Sequence, residues 1–75
     1  MKEYELVHEI KNSCPNNQMR DIFFQEIQCE DPVTWLRQRL AGRQAELTVE
    51  EGARGAVTVH AVVDGMVEAY IFTPI

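Results

Sequence analysis

The two cysteines and two histidines of this sequence, His8, Cys14, Cys29 and His60, are residue types suited to nucleophilic or zinc chemistry. Cys14 sits in Asn12-Ser13-Cys14-Pro15-Asn16-Asn17, a stretch dense in turn formers, where Pro15 also restricts Cys14 to extended conformations. A loop thiol is accessible, and a neighbouring imidazole would stabilise the thiolate that does nucleophilic or redox work. His8, on the preceding strand, is the nearest candidate. No CxxC and no other cysteine-enzyme signature surrounds Cys14. The pair Cys14 and His8 is therefore a weak catalytic candidate, set against a small loop residue of no chemical consequence.

The same four residues have the ligand types for zinc, but their spacing argues against a site. If residues 19–28 form a strand, Cys14 and Cys29 lie near opposite ends, roughly 30 Å apart at ~3.3 Å per residue. A helix there still separates them by roughly 15 Å. One subunit cannot bring both to one ion or to a disulfide, so neither metal nor cofactor is expected. Glu3, Glu5 and Glu9 occupy alternate positions on one surface. Acid-base catalysis needs a sheltered carboxylate with a shifted pKa, and this row is solvated and self-repelling. No phosphate-binding glycine loop and no Ser/His/Asp order is present.

The elements around these residues are marked by period and turn chemistry. Lys2 to Lys11 alternates strictly, with Tyr4, Leu6, His8 and Ile10 on one face and Glu3, Glu5, Val7 and Glu9 on the other. Residues 19–28 fit either a strand or a helix capped by Asn17; the Ile-Phe-Phe centre and an upstream hairpin partner favour a strand. Asp31 as cap, Pro32 at the first position and Gly42 as closure bound a helix with the apolar stripe Val33, Leu36, Leu40. Ala45, Leu47 and Val49 then alternate with Glu46, Thr48 and Glu50. After a turn over residues 51–55, Ala56 to Ile75 reads as a hairpin closed by Asp64-Gly65. The order is ββαβββ: one α+β domain over residues 1–75, an antiparallel sheet of about five strands with one helix on one face.

The bulk properties limit the partners. Seventy-five residues support one domain near the lower size for an unstapled core. A net charge of −5 opposes nucleic acid and anionic membranes. Arg37, Arg39, Arg43 and Arg54 make at most a modest basic patch. The charged start MKEYELVHEI lacks the apolar run of a signal peptide, and no window approaches ~20 apolar residues, so a cytoplasmic location is expected. Two cysteines are too few for a secreted, disulfide-stapled fold.

The final hairpin is apolar on both faces. Its register sets Val63 opposite Met66, Val59 opposite Tyr70 and Val57 opposite Phe72 on one face. Thr58, His60, Val62, Val67, Ala69 and Ile71 share the other. A single helix covers one face, so the second needs another cover. Trp35 adds to this surplus, lying about 135° from the helix stripe at roughly 100° per residue. It either anchors a partner or folds over the sheet rim against Arg39. These residues are the expected interface of a non-enzymatic homodimer, through the second face or a free strand edge, with another protein as an additional partner. Protonation of His60 there would make association pH-dependent. Two alternatives remain: a thiol- or metal-dependent protein using Cys14 with His8, and a small-ligand site between sheet and helix lined by Tyr4, Phe24, Tyr70 and Phe72.

Overall fold

The computed structural model describes residues 2–11 and 20–75. Cys14 and the loop expected around it lie outside them. Alternating sequence becomes five strands: β1 (Lys2–Lys11), β2 (Arg20–Cys29), β3 (Ala45–Glu51), β4 (Val57–Val63) and β5 (Met66–Pro74). The helix α1 (Pro32–Arg39) lies between β2 and β3, and one 3₁₀ turn, Ala53–Gly55, precedes β4. The ββαβββ order and the two-layer α+β arrangement are those expected. Residues 20–29 are a strand, as their β-branched and aromatic centre favours.

Local chemistry sets the element ends. Asp31 caps α1: its carboxylate accepts from Val33 N–H at 3.3 Å and from the Thr34 hydroxyl at 2.7 Å. The Thr34 bond is the main reason that the Asp31 carboxyl is held below its usual range. Gly42, at φ +86°, ends the helical region in the left-handed conformation that favours glycine. Asp64 (φ 51°) and Gly65 (φ 83°) form the tight β4–β5 turn with both central φ angles positive, the geometry that matches strand twist.

The sheet is wholly antiparallel, in the order β2-β1-β5-β4-β3. The first and last strands therefore pair at its centre, through Leu6 opposite Phe72 and His8 opposite Tyr70. β2 and β3 are left as the two edges. Strand periodicity sends Tyr4, Leu6, Ile27, Val59, Ala61, Val63 and Phe72 to one face, where Leu36 and Leu40 of the helix region close over them. Tyr4 and Trp35 meet the fully buried Phe72 edge-on, with ring centroids 6.4 and 5.9 Å away.

The ligand-site expectation is corrected at Phe24, which does not line the space beneath the helix. It stands opposite Val7 on the open face and is 71% exposed. Both faces of β2 carry apolar residues, so its alternation does not select an inward face; the register with β1 turns Ile27 inward and Phe24 outward. Tyr4, Tyr70 and Phe72 do face the helix side and are all buried.

Leu36→Ala removes a fully buried anchor of α1 and is expected to cost about 2–5 kcal/mol. Arg37→Ala, on the exposed side of the same helix, is expected to stay within about 0.5 kcal/mol. Urea unfolding followed by Trp35 fluorescence measures both.

Candidate functional site

Two surfaces concentrate chemistry, one on each face of the sheet. On the helix side, β1 and β5 bring together His8, Glu68 and Tyr70. Glu68 alternates with Tyr70 and Phe72 along β5 and so turns inward, where it is buried. Such a carboxylate is costly without partners. It has two: His8 Nε2 lies 2.5 Å from Oε1, and the Tyr70 hydroxyl donates to the same oxygen at 3.0 Å. Nε2 is thereby engaged with Glu68, and Nδ1 is the ring nitrogen without that contact. The imidazole stacks on Tyr70 with centroids 4.1 Å apart and planes 14° from parallel. Burial, reinforced by the bond to Glu68 and its charge, pushes the Tyr70 phenol well above its ordinary pKa; Arg43 acts in the opposite direction.

A groove opens beside this cluster, bounded by His8, Gln25, Trp35, Arg39, Arg43 and Tyr70. The Arg39 guanidinium lies 4.6 Å over the Trp35 ring. Arg39 and Arg43 make no ion pair with a carboxylate among the described residues. The groove is a cationic, aromatic-walled recess next to an oriented imidazole. It is a shape for holding an anion, and no cysteine lines it among the described residues.

The expected site residues divide cleanly between the faces. Thr58, His60, Val62, Val67, Ala69 and Ile71 all share the open face, by the β4–β5 register. Trp35 does not join them. It packs over Phe72 on the helix side and stacks with Arg39, the alternative arrangement noted for an off-stripe tryptophan. His8 and His60 lie on opposite faces, so one subunit cannot bring both to a common ligand. His60 faces Glu50 at 3.6 Å, in an exposed pair. Cys29 is buried at the end of β2, and burial, then the nearby Asp31 charge, raises its thiol pKa, which disfavours the thiolate.

The open face carries a continuous apolar track. Phe24, Val7 and Ile71 are neighbours across three strands; Ala69 leads on to Val67, which stands opposite Val62. Val67 is 47% and Val62 42% exposed. Glu3, Glu5 and Glu26 border one end of the track, and Glu46 and Glu50 border its β3 side. No helix of the described residues is long and apolar enough to cross a membrane.

Glu68 is the site residue that sequence reasoning missed. A carboxylate inside the inward register Met66, Glu68, Tyr70, Phe72 was the available signal, because a charge at such a position demands a partner. Comparison of the chain with protein-family models, curated proteins and solved structures finds no match.

The raised Tyr70 pKa has a signed consequence. The protonated phenol contributes stability that is present below the ordinary tyrosine pKa of about 10 and is lost as pH rises through the folded-state value. Tyr70→Phe, compared with the parent by urea unfolding between pH 7 and about 11, is therefore expected to lose less stability on the alkaline side. Parallel curves for the two proteins would show that the phenol carries no such linkage.

Proposed function

We propose that this protein acts through protein-protein contact, as a homodimer, and catalyses no reaction of its own. The observation that carries this reading is the apolar track on the uncovered sheet face, from Phe24 through Val7 and Ile71 to Val67 and Val62. Scattered exposed apolar residues need no explanation, but a connected set bordered by charge is the form of an interaction surface. The acidic border disfavours anionic partners and favours those carrying basic residues at matching positions. A second copy is the first partner, with the β2 edge of the face carrying exposed Ile22 and Phe24. Any further protein would meet the remainder of the face. The cytoplasm suits this reading, because a reduced thiol such as the buried Cys29 persists there.

A second reading, small-ligand binding, is favoured by one specific observation. The groove beside α1 holds Arg39 and Arg43 against aromatic walls on a chain of net charge −5. Its ligand would be a small anion, met by Arg39, which is held over the Trp35 ring, and by Arg43. The thiol reading rests on Cys14, outside the described residues, and the structure lends it only the orientation of His8.

Sedimentation velocity between about 1 and 100 μM is expected to show a monomer-dimer equilibrium, in the range of modest interfaces. A monomer throughout overturns the leading reading. For the second, Trp35 fluorescence is expected to change saturably on titration with benzoate below about 10 mM and to lose that response in Arg39→Ala. No response to benzoate excludes it.

A further inference from the structure

The two free edges of the sheet are chemically unlike. β3 presents Glu46, Glu50 and Glu51 within seven residues, a row of carboxylates that discourages pairing with a like strand. β2 instead presents the uninterrupted run Ile22-Phe23-Phe24, with every member exposed. Among the described residues no strand pairs with its outer side. Phe23 belongs to the helix side, opposite His8, whereas Ile22 and Phe24 belong to the open face. A cover laid on either face leaves part of this run in water. A strand alongside reaches both parts, which is how an exposed edge is completed.

The order of charges around the run says which strand fits. Arg20-Asp21-Ile22-Phe23-Phe24-Gln25-Glu26 is complementary to itself when read backwards. We infer that two copies pair antiparallel through β2, with Phe23 on the two-fold axis; this rests on the self-association proposed above and specifies its geometry. The axis stands normal to the sheet, because opposed residues of one continuous sheet must face the same side. Arg20 of one copy is then opposite Glu26 of the other, Asp21 opposite Gln25, and Ile22 opposite Phe24. Moving the axis to Phe24 sets Ile22 against Glu26, and moving it to Ile22 sets Arg20 against Phe24. Only the axis at Phe23 matches apolar with apolar and positive with negative. The product is one ten-stranded sheet with both helices on one side and the two open faces joined.

Cysteine cross-linking of the full chain, in a Cys14→Ser background, reads this register directly. Phe23→Cys is expected to form a disulfide dimer under mild oxidation, because position 23 faces itself. Ile22→Cys alone and Phe24→Cys alone are expected not to, since their self-distances exceed the ~7 Å limit for a bridge; an equal mixture of the two is expected to cross-link. Arg20→Glu is expected to weaken the uncross-linked dimer at least about tenfold, and adding Glu26→Arg to restore it to within about threefold. Far-UV circular dichroism confirms that each variant is folded. A dimer by sedimentation that lacks this cross-linking pattern, or that is unmoved by Arg20→Glu, overturns the edge geometry and leaves self-association standing. A parent protein that is monomeric overturns both.

Discussion

Eight residues of α-helix extend about 12 Å, whereas a ten-residue strand extends about 33 Å. This disproportion between α1 and the sheet governs the molecule. The helix is long enough to close over Leu6, Val59 and Phe72, where burial is complete. It is too short to reach the far ends of β1, β2 and β5 on the same face, and it cannot touch the other face at all. The folded chain is consequently dry in one quadrant and chemically differentiated everywhere else.

At the margin of the dry quadrant the chain places polar groups that satisfy one another. Glu68 is buried, and its carboxyl oxygen meets His8 Nε2 and the Tyr70 hydroxyl. The stacking of His8 on Tyr70 sets both side by side on adjacent strands. The cluster ties the first strand of the chain to the last at the centre of the sheet, and it fixes an imidazole at the mouth of a cationic groove. Both effects arise from one carboxylate turned inward.

The open face and its borders follow from the same limit. Among the described residues no second layer covers this face, and apolar residues on the outer sides of β1, β2, β4 and β5 lie at the surface. Their arrangement is selective: β3 is lined with glutamates and β2 with aromatic residues. The carboxylates of β3 discourage strand pairing at that edge, and the exposed apolar run lies at the other.

Most of the architecture is legible in the residues themselves. Strict alternation defines β1 and β3, Asp64-Gly65 defines the last hairpin, and Asp31-Pro32 with Gly42 defines the helix, because each rests on a backbone preference that acts over a few residues. The strand over residues 20–29 is legible through its β-branched and aromatic centre, although its inward phase is not, and Phe24 consequently lies on the face opposite to the expected one. The partnership of His8 with Glu68 is invisible in the sequence because 60 positions separate them. The residues alone thus determined the elements, the turns and the surplus of apolar surface, all consequences of local period and composition. Tertiary structure alone decided that β1 pairs with β5, which residues meet across that seam, and which strands are left as edges, because strand order depends on contacts between segments far apart in the chain.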